Sequence, residues 1–502
     1  VGFMKRALLI NWDNYPNVVS GGVYYWTKSL VEKMSDWEFV ILNQLSNPNA
    51  DARYVLPNNV SKVIEFPIFG TNRYEEFHRE EKALFPKILR TNESVVKEKF
   101  MPLYKDFLFN ILSDNSEPSE VAQSISKIHK FLMIYDAKKC FEHYLTWEIF
   151  LDRIRADQLY REMTLKDALT NYQMLQRSMQ ILSIEMPKVD VIHCSLAWLP
   201  AMIAICAKLE DSTPVISTEH GVAFRELILY YNAFLDNEPS KIFWTAFTNN
   251  VVRAVYSIAD VIVPVCQANE AWEWRLGADK NKTRVIYNGI DTQKFRPMDL
   301  KREDNRPTVV SVARVSVFKD IVGLIQAISY VSQSVRDVKC LLFGESRERE
   351  YSERCTEMVK KLRLEDNFKF MGGTKEPEKA YNLGDVVAFS SITEGFPFAI
   401  IEAMACGKAV VATNVGGIGE ALEGCGLLVR SRSPKDLANG ILTLLKDKEL
   451  RKDLESKAIT RAKNQFSIER STNQYRELYE QLASSRSPTA RTEVPISEVI
   501  GR

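Results

Sequence analysis

The sequence has no excess charge of either sign: 66 lysines and arginines meet 65 aspartates and glutamates, for a formal net charge of +1. Nucleic-acid binders usually carry a basic footprint, so no nucleic-acid partner is expected. There is no Cys-x-x-Cys pair; the eight cysteines stand apart at 140, 194, 206, 266, 340, 355, 406 and 425. Several lie in apolar runs, which suits small core residues in reducing surroundings better than disulfides or zinc ligands. Long apolar stretches are missing too. The longest, Leu196–Ala207, stops at Lys208 and is too short to span a bilayer. Ala7–Ile10 is too short for the core of a secretion signal. A cytoplasmic protein is therefore the expectation, with Met4 a candidate start. Also absent are a Walker A loop, a Gly-x-Gly-x-x-Gly and an Asp-x-Asp pair. A bound phosphate would have to be met by arginine, lysine and helix ends, so neither a metal nor another cofactor is expected.

What is present reads as alternating strand and helix. Lys5–Asn11 predicts a strand, Trp12–Gly22 a loop with the pair Gly21-Gly22, and Val23, Trp26, Leu30 and Met34 recur at helical spacing. A strand at Glu38–Leu42 completes the opening of a doubly wound sheet. From about 75 to 185 the composition turns to Glu, Lys, Leu, Phe and Tyr with few glycines, which predicts a helical insertion. Strands resume at Val189–His193, Thr213–Thr218, Val261–Val265 and Thr283–Ile286. The polar, proline-bearing stretch Asp291–Pro307 marks a domain boundary. Beyond it, Thr308–Val312, Val338–Phe343, Asn367–Met371, Val386–Ser390 and Ala409–Thr413 predict a second parallel sheet, and Ser467–Ala483 a last helix. The expected organisation is an α/β domain over 1–290, a second over 291–483, and a disordered tail over 484–502. In such sheets ligands bind beyond the carboxyl ends of the strands, so the loops after strands are the places to look.

The strongest cluster there runs from Thr393 to Gly407, with Glu394 in a loop and Glu402 inside the helix that follows. A helix N-terminus offers free N–H groups and positive potential that suit a diphosphate. Carboxylates accept hydrogen bonds from vicinal hydroxyls of ribose or a hexose. Gly395 and Phe396, between them, are grouped with Glu394 and Glu402 as expected donor-binding residues. Read alone, Glu394 can instead be a capping acid and Glu402 a surface charge, though the apolar stretch Phe398–Cys406 around Glu402 makes the latter less natural. Arg314 and Lys319 follow a strand in one loop; arginine grips phosphate through two N–H groups and lysine adds a point charge. Two exposed surface cations are the alternative. Gly21-Gly22 would let a backbone approach a phosphate or simply make a turn. His220, beyond another strand, could bond a sugar hydroxyl or a phosphate oxygen or serve only its loop. His193, beside Cys194, reads as packing.

Together these residues resemble a known family. The segment EGFPFAIIEAMACGKAVVATNVGG, with Glu394 and Glu402 spaced as they are, looks like the signature of glycosyltransferase family 4, retaining enzymes of the GT-B fold. Arg314 and Lys319 match its Gly-Arg-x₄-Lys-Gly loop, with Ala313 and Asp320 in place of the glycines. Asn288-Gly289-Ile290-Asp291 matches its interdomain Asn-Gly-Val-Asp, and Val415-Gly416-Gly417-Ile418 another of its loops, with Gly419 where proline is usual. Pro16 to Gly22, Arg53 to Val60 and Thr218 to Glu226 look like the PelF-type branch, which also carries a helical insertion in its first domain. The resemblance implies two Rossmann-like domains facing a central cleft, the second binding the donor. It implies that Arg314 and Lys319 bind the donor diphosphate, Glu402 the ribose and Glu394 the sugar. His220 would act near the reaction centre and Gly22 would meet the leaving phosphate. The implied reaction moves a hexose, glucose or a related sugar, from a nucleoside diphosphate, with UDP the expected carrier. The acceptor is a glycan or other molecule, and a peripheral association with a membrane polysaccharide-export complex is a further expectation. An epimerase or hydrolase on the same architecture, or a binding subunit without turnover, are the alternatives.

Overall fold

Uninterrupted runs of apolar residues make the central strands, and parallel strands covered on both faces need such runs. The computed structural model describes residues 4–18, 21–47, 49–50, 55–69, 84–302, 304–346 and 348–485. They divide into two compact units. The first comprises the chain up to Pro264 with Trp272–Arg284 and the residues from Tyr475 on; the second comprises Val265–Ala271 and Val285–Gln474.

The first unit holds a six-stranded sheet in the order β3-β2-β1-β4-β5-β6. Its strands are β1 (Lys5–Trp12), β2 (Trp37–Leu45), β3 (Val60–Pro67), β4 (Val191–Cys194), β5 (Val215–Glu219) and β6 (Val261–Pro264). All pair in parallel. The second unit holds another, in the order β12-β11-β10-β7-β8-β9. It consists of β7 (Thr308–Val312), β8 (Lys339–Phe343), β9 (Phe368–Gly372), β10 (Val386–Phe389), β11 (Ala409–Thr413) and β12 (Leu427–Val429). Counted within its own unit and read from the other edge, the second order repeats the first: both are the doubly wound Rossmann arrangement. The order reverses between β1 and β4 in one sheet and between β7 and β10 in the other. Those switch points are where such folds hold ligands.

Three strand expectations need revision. Thr283–Ile286 forms no strand: a single bridge joins Thr283 to Ile262, and after the Arg284 N–H bonds the Ile262 carbonyl at 2.9 Å the chain leaves for the other unit. β3 and β12 were not anticipated. β3 reads Val-Ser-Lys-Val-Ile-Glu-Phe-Pro, an edge strand with polar residues among its apolar ones, and β12 has three residues.

Between β3 and β4 lies a helical region whose elements run from Leu84 to Ser183. Its local signals are ordinary. Thr164 and Asp167 form a capping box, and the Asp136 carboxylate caps Lys139 N–H. Its core is aromatic, with Phe100 against Phe141 at 5.3 Å and Phe150 against Phe243 at 5.9 Å between ring centroids. Phe243 belongs to the helix Glu238–Ile258, whose Asn250 donates to the carbonyls of Ile111 and Ser113 at 3.0 and 2.9 Å. That satisfies carbonyls a helix C-terminus leaves open. Expectations for 75–83 and for the tail 486–502 fall outside the described residues. All eight cysteines are buried and unbridged.

Candidate functional site

The second unit brings the loops after β7 and β10 together beside its switch point. Three contacts join them. The Ile392 N–H donates to the Phe318 carbonyl at 2.8 Å, the Ser390 hydroxyl donates to the Lys319 carbonyl at 2.7 Å, and the Lys319 ammonium pairs with Glu394 Oε1. Ser391 donates to the same carboxylate oxygen at 2.6 Å. Both side chains of the ion pair are mostly shielded, 21% and 12% exposed, which strengthens their attraction relative to a surface pair. Arg314, in the same loop, is exposed and makes no hydrogen bond or ion pair among the described residues.

Asp320 and Ala313, which stand in place of the glycines of the loop this segment resembles, have local reasons. Asp320 takes the left-handed conformation, φ +46°, where glycine is usual. Aspartate tolerates that region better than most residues, and its carboxylate caps the helix Ile321–Ser334 through Gly323 N–H at 3.1 Å. Ala313 is not among the residues with positive φ, so a Cβ is allowed there. The glycine that is required sits opposite, because a Cβ at Gly344 would strike the Ala313 carbonyl.

Glu394 is also held from its backbone side. Gly417 N–H donates to the Gly395 carbonyl at 2.7 Å, and Gly416, at φ +55°, lies so close to the Glu394 carbonyl that no side chain fits. Phe396 turns inward, 3% exposed, packing on Tyr287 and Phe466 at 5.0 and 5.1 Å. A donor contact at Phe396 would therefore use its backbone. The Phe396 carbonyl accepts from Asn288 Nδ2 at 2.9 Å, and Ile290 is bonded to Phe466 and Ile468. The Asn-Gly-Ile-Asp segment thus fixes the loop and the start of the helix Ile468–Ser485 together.

Pro397 precedes the helix Phe398–Ala405 as its cap residue. Glu402 lies within that helix, and its Oε2 accepts from the Tyr381 hydroxyl at 2.8 Å. Burial lifts the Glu402 carboxyl to about 7; the Tyr381 hydrogen bond and Lys294 oppose the lift, and Glu378 adds to it. Tyr381 was missed in the sequence, where nothing in its surroundings marks it.

In the first unit Gly21 begins the helix Gly21–Lys33 at φ +79°, exposed, with Gly22 behind it. Residues 19 and 20 of that loop lie outside the described residues. Trp26 of the same helix is buried and sets its ring against His220 at 4.5 Å, His193 at 5.2 Å and Tyr475 at 5.5 Å. His193 is a packing residue: its ring nitrogens meet the Tyr479 and Thr218 hydroxyls at 2.8 and 2.7 Å, and burial lowers it to about 3. His220, just past β5, keeps part of its surface open. The residue before it, Glu219, is fully buried and accepts from Ala197 and Ala223 N–H at 2.6 and 2.9 Å. Burial lifts its carboxyl to about 8, against those two bonds and with Glu226 adding to the lift. Glu219 thus ties the β4 loop to the first turn of Ala223–Phe234 underneath His220, a role the sequence did not disclose.

The comparisons identify these two Rossmann-like units as a glycosyltransferase of the GT-B fold. Residues 293–461 match Glycosyl transferases group 1, and residues 7–281 match Domain of unknown function (DUF3492). The chain belongs to the DUF3492 family. It is 27% identical over 58% of its length to N-acetyl-alpha-D-glucosaminyl L-malate synthase of Bacillus anthracis, covering 74% of that enzyme. It is 30% identical over 42% of its length to a diphospho-undecaprenol 4-alpha-N-acetylgalactosaminyltransferase of Campylobacter jejuni, covering 58% of it. In fold it is similar to sucrose-phosphate synthase of Thermosynechococcus elongatus, with TM-score 0.61, 19% identity, and 96% and 100% of the two chains covered. The Anabaena protein HepE in complex with UDP and glucose gives TM-score 0.58, 18% identity, and 95% and 100%. Among the described residues no helix is long and apolar enough to cross a membrane.

Proposed function

We propose that the chain transfers a hexose, glucose or a related sugar, from a nucleoside diphosphate to a glycan or other acceptor. In this reading it does so without a metal and with retention at the anomeric carbon, as a family 4 enzyme of the PelF-like branch. UDP is the proposed carrier. Support comes from the similarity in fold to HepE, whose structures hold UDP and glucose, and from relatives named as an N-acetyl-alpha-D-glucosaminyl L-malate synthase and an N-acetylgalactosaminyltransferase.

The observation that carries the reading is the Lys319–Glu394 pair. It joins two loops at the switch point, where a diphosphate would sit at the N-terminus of Phe398–Ala405. The leaving diphosphate gains negative charge as the sugar departs. Lys319, mostly shielded, and Arg314, exposed beside it in the same loop, are the groups of this unit that would meet it. Glu394, released from Lys319, would then accept from the sugar hydroxyls with Gly395 and the Phe396 backbone beside it, and Glu402 would accept from ribose. His220, Gly21 and Gly22 of the first unit would act on the sugar and leaving phosphate. Cytoplasmic placement and association with an export complex belong to the same proposal.

The test is a melting-temperature screen with nucleoside diphosphates and their hexose conjugates, followed by product analysis. Ligands that bind the native state raise its melting temperature by mass action. The reading expects a shift with a nucleotide sugar and the transferred sugar on an acceptor. No shift with any of them would sink it, while donor conversion without an acceptor would instead establish a hydrolase or epimerase.

A further inference from the structure

Glu402 is proposed above to receive the ribose hydroxyls, but a carboxylate on a helix can rotate. Its Oε2 is engaged by the Tyr381 hydroxyl at 2.8 Å, which leaves Oε1 for a ligand. Tyr381 is itself fully buried, so no water replaces that bond. Its ring packs in the cluster formed by Val387, Phe389, Ile400 and Ile401. The helix that carries it, Pro377–Asn382, is pinned in turn: Asn382 donates to the Arg296 carbonyl and accepts from Met298 N–H, both at 3.0 Å. Glu378, one turn before Tyr381 on the same helix, is buried and pairs with Lys294 at 3.6 Å. Lys294 is thereby shared between Glu378 and the field at Glu402.

We propose that Tyr381 is a positioning residue that orients Glu402, so that the protein distinguishes ribonucleotide from deoxyribonucleotide donors. The inference rests on the ribose role given to Glu402 and adds to it a specificity with a cause. One carboxylate oxygen is committed to a rigid buried hydroxyl, so the other points in one direction. A ligand lacking the 2′-hydroxyl would leave that oxygen without its partner, and a shielded acceptor left unpaired is costly. The charged groups facing Glu402 are Glu378 beside Tyr381 and Lys294 on the segment before β7; Cys406 closes its own helix.

The experiment measures binding of UDP, GDP and ADP, each against its 2′-deoxy counterpart, to wild type and to Tyr381→Phe, by calorimetry across pH. Wild type is expected to prefer at least one ribonucleotide. Tyr381→Phe, which removes the hydroxyl and keeps the ring, should reduce that preference by about tenfold with deoxynucleotide binding little changed. The preference should fade on acidification as Glu402 gains a proton. Its midpoint should lie higher in the variant, because the hydroxyl that opposes the upward shift is gone. Equal weakening of ribo- and deoxynucleotides would show a merely structural tyrosine and overturn the inference. An unchanged preference with an unmoved midpoint would overturn it as well and leave the transferase reading standing. A wild type that binds no nucleoside diphosphate would overturn both.

Discussion

The two units share one strand order and treat their polar groups in opposite ways. In the second unit, charge is kept close to the surface at the switch point: Lys319 faces Glu394, Arg314 is open, and glycines press the loop from behind. In the first unit, the groups near His220 are sealed: Glu219 and His193 are fully buried and spent on internal hydrogen bonds. The same topology therefore carries one edge with a part-exposed ion pair and an open cation, and one whose polar groups are spent on internal bonds. Substitutions in the two places should fail differently.

The largest effect is expected from Lys319→Ala. Loss of one electrostatic donor to a developing charge commonly costs about 10²–10³ in turnover. Because Ser391 still holds Glu394, the melting temperature should move by only a few degrees, roughly what a loss near 1 kcal/mol produces. Turnover assays and thermal melts of the same preparation check this. A variant with normal turnover, or one that no longer folds, would erase the contrast between the units.

Next is Glu219→Ala, which strips the acceptor from two buried N–H groups and should cost about 2–4 kcal/mol in chemical denaturation. A loss of activity without loss of stability would mean that Glu219 belongs with the working charges after all. A smaller effect concerns pH. The Glu219 carboxyl rises from its ordinary 4.5 to about 8, so the native state holds a proton that the unfolded chain has lost between those values. Its contribution to stability must then fall as pH rises through that window. Glu219→Gln cannot ionise, and its denaturation midpoint should decline less than that of wild type from acid to about pH 8. Parallel profiles would contradict the buried carboxyl.

The smallest effect is Asp320→Gly. Glycine removes left-handed strain of about 1 kcal/mol and loses a cap worth a few tenths against glycine, so stability should change by less than about 1 kcal/mol. Denaturation curves that separate by more would show that Asp320 serves the loop in another way.

Much of this was legible in the sequence because its signals were local. Runs such as Ala7–Ile10 and Ala409–Ala412 are short and wholly apolar, as strands covered on both faces are, and they alternate with helical spacing. The Glu394–Glu402 and Arg314–Lys319 spacings sit where a strand gives way to a loop, which is visible without coordinates. The edges were not: β3 mixes polar and apolar residues, β12 is short, and Thr283–Ile286 has strand-like composition but one bridging partner. Tyr381 and Glu219 were invisible for another reason. Their importance lies in partners that only the fold supplies, Glu402 for one and Ala197 with Ala223 for the other. Phe396, grouped with the binding residues by its neighbours, turned out to spend its ring on the core.

The last helix carries a consequence for how the protein is made. Ile468–Ser485 contributes residues up to Gln474 to the second unit and from Tyr475 onward to the first. Tyr475 and Tyr479 fill the space beside Trp26, Trp37 and His193. A ribosome emits the first unit's sheet before the second unit and these two rings only after it. The nascent first unit must therefore wait, with a tryptophan-lined gap, while the whole second unit is synthesised and domains ordinarily fold in order of emergence. A stalled chain ending at Gln474 should show a protease-sensitive first unit, and one extended past Tyr479 a protected one.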